Sequence, residues 1–242
     1  MAEAVSLRTA DGLTLGATFL PGAGRSPVVV HHHFGATRYD YLPVARFLRS
    51  AGHPVLLLDG RSHGDSQPGR ALGLDLDRRP EDTIAAVDHL RGQGYRSFHG
   101  MGFSMGAAVV MMGASRCPGL LSLVLDSGPA AHLYAACRGV IDQRLSDAPA
   151  GERRLAARRL YLDGRGWRYH RDLVQAASRI PDTPVLLLHG DRDEVIPPAE
   201  TEEFRKAVLR SPCERVILER TEHVTGWARH GLHYRSLVLD FL

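Results

Sequence analysis

Lysine is almost missing from this chain: Lys206 is the only one, and the remaining members of a set of 30 basic residues are arginines. The skew reads as the coding bias of a GC-rich genome. It is not a nucleic-acid footprint, because the arginines are dispersed and the formal net charge is only +3. Cysteine is also scarce. Cys117, Cys137 and Cys213 are odd in number and far apart, which excludes a disulfide framework or a zinc site and predicts free thiols in a reducing cytoplasm. No apolar run approaches the roughly 20 residues of a membrane helix, and Met1–Arg8 lacks the basic and apolar regions of a secretory signal. A cytoplasmic protein with no membrane partner is therefore expected. Repeats and low-complexity segments are absent too.

What remains is globular: 242 residues, 44% hydrophobic and 24% charged, suit one large α/β domain with a modest insertion. Val5–Thr9 and Thr14–Leu20, joined across Asp11-Gly12, predict a hairpin. Val28–Val30, Pro54–Leu58, Leu120–Leu125, Val185–Leu188 and Arg215–Leu218 are short apolar runs that predict strands. Helical spacing recurs between them at Tyr41–Ala51, Glu81–Leu90, Ala199–Leu209 and His233–Leu242. Such alternation requires crossover connections and hence a mostly parallel sheet with helices on both faces. Residues 127–179 break the rhythm with helix-like segments and no strand. They are expected to form a helical lid over the sheet's C-terminal edge, where open α/β sheets bind ligands. Within them Arg153, Arg154, Arg158 and Arg159 predict a solvated helix surface, or a contact to an anionic substrate group.

The chemistry is concentrated at Gly102-Phe103-Ser104-Met105-Gly106. A Gly-x-Ser-x-Gly segment between a strand and an apolar helix is a nucleophile-elbow pattern: a strained serine, glycines that let neighbouring chain pass, and free helix N–H groups beside the hydroxyl. A serine hydroxyl needs a base, and the base needs a carboxylate. Candidate carboxylates are Asp191 and Asp193 after the Val185–Leu188 strand, and Asp126 one strand earlier. Candidate bases include His223 after the last strand, with His230, His233, His63 and His99 as competitors.

With these stretches and the Asp59-Gly60-Arg61-Ser62-His63-Gly64-Asp65-Ser66 loop, the chain resembles the α/β-hydrolases of the small serine carboxylesterase and monoacylglycerol-lipase kind. Ser62 stands where that family carries glycine. The resemblance implies an α/β-hydrolase fold and a serine hydrolase of short to medium acyl esters, with thioesters, acyl transfer or mere ligand binding as alternatives. It implies Ser104 as nucleophile, His223 as base and Asp193 as acid, with no cofactor and no metal. The oxyanion hole falls to the amides of Met105 and Phe34. At His31-His32-His33-Phe34-Gly35 the chain departs from the family's His-Gly pattern, placing His33 at the glycine position, beside the hole and close to the acyl-binding wall, where it would contact substrate. The histidine triplet also raises a metal reading, but along a strand only His31 and His33 share a side.

Overall fold

A computed structural model describes residues 2–69, 75–163 and 165–242. Eight strands form one sheet: β1 (Glu3–Arg8), β2 (Thr14–Leu20), β3 (Val28–His31), β4 (Val55–Leu58), β5 (Phe98–Phe103), β6 (Leu120–Asp126), β7 (Val185–Gly190) and β8 (Cys213–Leu218). Their order is β1-β2-β4-β3-β5-β6-β7-β8. The first two pairings are antiparallel, and every pairing from β4–β3 to β7–β8 is parallel. This is the α/β-hydrolase fold.

Alternation along the strands explains the two-sided core. Val29, Leu56 and Leu58 enter one apolar cluster, while Val28, Val30, Val55 and Leu57 enter the other, because successive side chains in a strand point to opposite faces. One face is covered by α2 (Pro80–Gly92), α3 (Met105–Ala114) and α6 (Gly166–Arg179). The other is covered by α1 (Leu42–Ser50) and α8 (Gly226–Phe241). α3 is buried almost all round, as its run of alanine, valine and methionine requires.

Residues 127–179 contain α4 (Leu133–Arg144), α5 (Ala150–Asp163) and α6, and no strand among the described residues. α4 packs Ala136 and Val140 on Val195 and Ile196 of the loop after β7. Two helices differ from their sequence reading. The Ala199–Leu209 segment is a short α7 (Pro198–Glu203) followed by a wider π-type turn over Phe204–Val208. The closing helix begins at Gly226, seven residues early, and kinks at Gly231 (φ 47°, ψ −109°). Its two glycines look like loop in the sequence. Its first turn is nonetheless held by Trp227, whose ring meets Tyr234 at 5.8 Å.

Candidate active site

β5 delivers Ser104 to the C-terminal edge of the sheet with φ 53° and ψ −116°. That backbone is unfavourable for a residue with a β-carbon. The two flanking glycines are required by space. A β-carbon on Gly102 would lie 2.3 Å from the Gly106 carbonyl oxygen, and one on Gly106 would lie 2.5 Å from that of His32. The end of β3 thus crosses directly over the first turn of α3, and this crossing sets the Phe34 loop beside Met105. The Met105 N–H opens α3 and has no intrahelical acceptor by position.

His223 follows β8. Its Nε2 lies 2.7 Å from Ser104 Oγ and its Nδ1 lies 2.7 Å from Asp193 Oδ2. The other Asp193 oxygen, Oδ1, accepts the backbone N–H groups of Val195 (3.0 Å) and Ile196 (2.8 Å). A carboxylate that receives donors at both oxygens places the imidazole proton on Nδ1, so Nε2 keeps a lone pair toward the serine. Asp193 is buried, and Ser104 is only 7% exposed. His189 backs the acid loop by donating from Nε2 to the Ile196 carbonyl at 2.9 Å.

The competing carboxylates are engaged elsewhere. Asp191 accepts the Thr221 N–H at 3.0 Å, and backbone donors, first that of Arg220, lower its pKa. Asp126 is buried between Tyr234 Oη and Ser127 Oγ, both of which donate to it. Burial raises its pKa to about 6. Among the competing histidines, His99 pairs with Ser122 Oγ at 2.8 Å inside the sheet, and His230 pairs with Thr221 Oγ1 at 2.6 Å. His233 meets the His230 ring at 6.4 Å, on α8.

The histidine triplet separates. His31 bonds Thr83 Oγ1 at 2.9 Å. His32 Nε2 accepts the Gly60 N–H at 2.9 Å, so its Nδ1–H donates to the His33 carbonyl at 2.7 Å. His33 Nδ1 lies 2.6 Å from the Tyr41 hydroxyl. Burial lowers the pKa of His31 and His32 to about 3 and that of His33 to about 4, so all three are neutral near pH 7. Among the described residues, no group of three His, Cys, Asp or Glu side chains is placed to hold a metal ion.

Two hollows meet at Ser104. The smaller, about 50 Å³, is apolar and includes Met105, Ala108, Leu133 and Tyr169. The larger, about 230 Å³, is lined by His33, Gln143, Arg144 and His223 among others. His33 therefore borders the larger cleft and not the small apolar hollow, because the Tyr41 hydroxyl holds its ring on that side.

Two features escaped sequence reasoning. His63 does more than brace its own loop: its Nδ1 meets the Arg61 carbonyl at 3.1 Å while its Nε2 accepts the Gly35 N–H at 3.0 Å, tying the β4 loop to the Phe34 turn. Arg144 stacks over Phe34, 4.7 Å from the ring centre. A family histidine after Asp59 could have hinted at the first; nothing local signals the second. The arginines at 153, 154, 158 and 159 line neither hollow, and Arg153 approaches Asp142 at 3.5 Å.

A mostly parallel sheet with a strained serine between strand and helix, hydrogen-bonded through histidine to a buried carboxylate, is the arrangement of the α/β-hydrolase class. The family model described as serine aminopeptidase, S33, matches residues 23–150, and the chain belongs to that family. It is 24% identical over 255 residues to the uncharacterized protein YfhR of Salmonella typhimurium strain LT2, across 100% of this chain and 81% of that protein. It is 34% identical to the thiohydrolase aneE of Aspergillus aculeatus over 91 residues, which is 37% of this chain and 29% of the fungal one. The Pyrococcus furiosus esterase Pf2001 shares the fold at TM-score 0.79 and 24% identity, over 100% of this chain and 92% of its own. Family and fold together place the chain among the α/β-hydrolases.

Proposed function

We propose that the protein is a serine hydrolase of carboxylic esters with short to medium acyl chains. The observation that carries this reading is the unbroken run of bonds from Ser104 Oγ through His223 to Asp193. Ser104 attacks the acyl carbonyl as His223 Nε2 takes its proton. Asp193 keeps the imidazole in the required tautomer and stabilises the imidazolium that forms. The negative charge on the tetrahedral intermediate is met by the Met105 and Phe34 amides, each donor worth roughly 3–4 kcal/mol of barrier. His223 then protonates the leaving alcohol, and water repeats the sequence on the acyl-enzyme. These steps need no cofactor or metal.

In this reading the small apolar hollow takes the acyl group, the larger cleft takes the leaving group, and His33 forms part of its wall. Residues 127–179 act as the cap, with α4 contributing Leu133 and Ala136 to the acyl side. The three free thiols suit a reducing compartment such as the cytoplasm. The local similarity to a thiohydrolase favours acyl thioesters as a second substrate class, since a thiolate leaves the same intermediate without help from His223.

Fluorophosphonate labelling of wild type and Ser104→Ala, with a panel of p-nitrophenyl esters and acyl-CoA thioesters, tests the proposal. Labelling confined to the wild type, with turnover of at least one acyl series, is expected. Equal labelling of both proteins, or turnover of neither class, rejects it.

A further inference from the structure

The two hollows at Ser104 share Phe34, Val140 and Val195 as a common wall but differ in charge. No charged side chain among the described residues borders the small one. The larger one is bordered by Arg144, the last residue of α4, and by no acidic residue among those described. The guanidinium is held in place. It stacks over Phe34, and its Nη2 sits so near the chain that a β-carbon on Gly35 would lie 2.4 Å from it. Stacking fixes the plane of the guanidinium and leaves its N–H edge free to donate.

Two neighbouring cap arginines share a carboxylate, whereas Arg144 has none among the described residues. Arg138 and Arg153 both approach Asp142, at 3.0 and 3.5 Å. Among the described residues no carboxylate lies within ion-pair distance of Arg144. The acids near the mouth, Glu194 and Glu222, border an adjoining hollow together with Arg192. His33, facing the same cleft, is neutral at pH 7 and does not add to or cancel the charge. A favourable contact with the α4 dipole explains a cation at this helix end. It does not explain a guanidinium packed onto the Phe34 ring at the edge of the Ser104 cleft.

We infer that Arg144 is a specificity-determining residue that recognises a carboxylate on the leaving group, so that the preferred substrates are esters of a small apolar acid with an alcohol or phenol bearing a carboxylate. The planar fork of the guanidinium matches a carboxylate with two parallel hydrogen bonds. The inference rests on the ester-hydrolase reading above, in which the leaving group occupies the larger cleft.

The test compares 4-acetoxybenzoate with its methyl ester, which differ in one negative charge and share the acetyl group. Wild type should favour the carboxylate in kcat/KM, and added salt should erode the preference by raising KM. In Arg144→Gln the ratio of the two kcat/KM values should fall at least tenfold, whatever happens to the absolute rates, and Arg144→Lys should recover part of it. A ratio unchanged in Arg144→Gln overturns the inference, because a purely structural Arg144 would slow both esters alike. A second arm uses calorimetric binding of the same two esters to Ser104→Ala and to Ser104→Ala/Arg144→Gln. Tighter binding of the carboxylate, lost in the double variant, supports the inference even where turnover fails and the hydrolase reading falls. Equal binding of both esters to Ser104→Ala overturns it independently.

Discussion

Ser127 Oγ accepts the backbone N–H of Val224 at 3.0 Å, and both residues hold left-handed backbone, φ 55° and 53°. For a β-branched residue such as Val224 that conformation is costly, and it immediately follows His223. The same Ser127 hydroxyl donates to Asp126, which also receives the Tyr234 hydroxyl. A buried chain from α8 through the end of β6 therefore braces the loop that carries His223. Ser127→Ala should release Val224 and lower kcat for a neutral p-nitrophenyl ester by ten- to a hundredfold, with about 1–3 kcal/mol lost in stability. Tyr234→Phe cuts the chain at its other end and leaves the Val224 bond in place. It should cost stability with a much smaller effect on kcat. Urea midpoints and kcat for both variants check this; equal kcat losses would refute the positioning role of Ser127.

Asp193 and Asp191 lie two residues apart in one loop with different work to do. Asp193 takes the His223 proton side at Oδ2 and two amides at Oδ1, whereas Asp191 caps the Thr221 N–H at the surface. Asp193→Asn presents an amide that can donate to Nδ1 and so select the wrong tautomer, a change worth about 10⁴ in kcat. Asp191→Asn keeps an acceptor for Thr221 and should lose less than threefold. A larger loss at Asp191, or equal losses at both, contradicts the assignment of roles.

The buried histidines make an acid-labile core. His31 and His32 have pKa values lowered to about 3, and His33 and His99 to about 4, in each case chiefly by burial. In the unfolded chain each titrates near 6.5. Between these limits the unfolded state binds protons that the folded state refuses, so stability is complete above pH 6.5 and is lost as pH falls toward 4. Each histidine contributes a slope of about 1.4 kcal/mol per pH unit. Asp126, raised to about 6, acts in the opposite direction between its unfolded value and 6, and one such group offsets only one histidine. Urea midpoints should stay nearly level from pH 7.5 to 6.5 and fall steeply toward pH 5.5, and His99→Gln, whose ring bonds Ser122 and meets His53, should make the fall shallower. Midpoints that stay level across this range contradict the account.

Legibility in the sequence followed the range of the interaction that decides each feature. The sheet was readable because Val28–Val30, Val185–Leu188 and their like are continuous buried strands whose composition alone marks them. Ser104 was readable because its elbow needs a glycine two residues to either side, and these are the positions where a β-carbon would collide. Order after successive strands narrowed the base and acid to a few candidates, the family resemblance singled out His223 and Asp193, and the fold sets those two in line with Ser104. The start of α8 was missed because Trp227 and Tyr234 hold a glycine-broken helix through their packing. The His63 bond to Gly35 spans 28 residues, and the Arg144 stack on Phe34 joins elements with no sequence relation. Neither leaves a local pattern. The side on which His33 would lie was equally hidden, since it depends on a hydroxyl eight residues away.

That placement of His33 changes what its removal should do. At the glycine position of an oxyanion loop, its ring was expected to press on the acyl wall. Instead Tyr41 holds it at the border of the larger cleft, where it faces the leaving group in the proposed mechanism. His33→Gly should therefore broaden tolerance for bulky alcohols and leave the acyl-chain profile nearly unchanged. Tyr41→Phe should act in the same direction more weakly, since the ring remains but loses its 2.6 Å anchor. Stability will fall in His33→Gly from lost packing and added backbone entropy, so the decisive quantity is selectivity and not rate. Two ester series measure it: one alcohol with acyl chains of increasing length, and one acyl group with alcohols of increasing bulk. A shift confined to the alcohol series supports the leaving-group role. A shift confined to the acyl series returns His33 to the acyl wall, and unchanged profiles with a lowered thermal midpoint leave it purely structural.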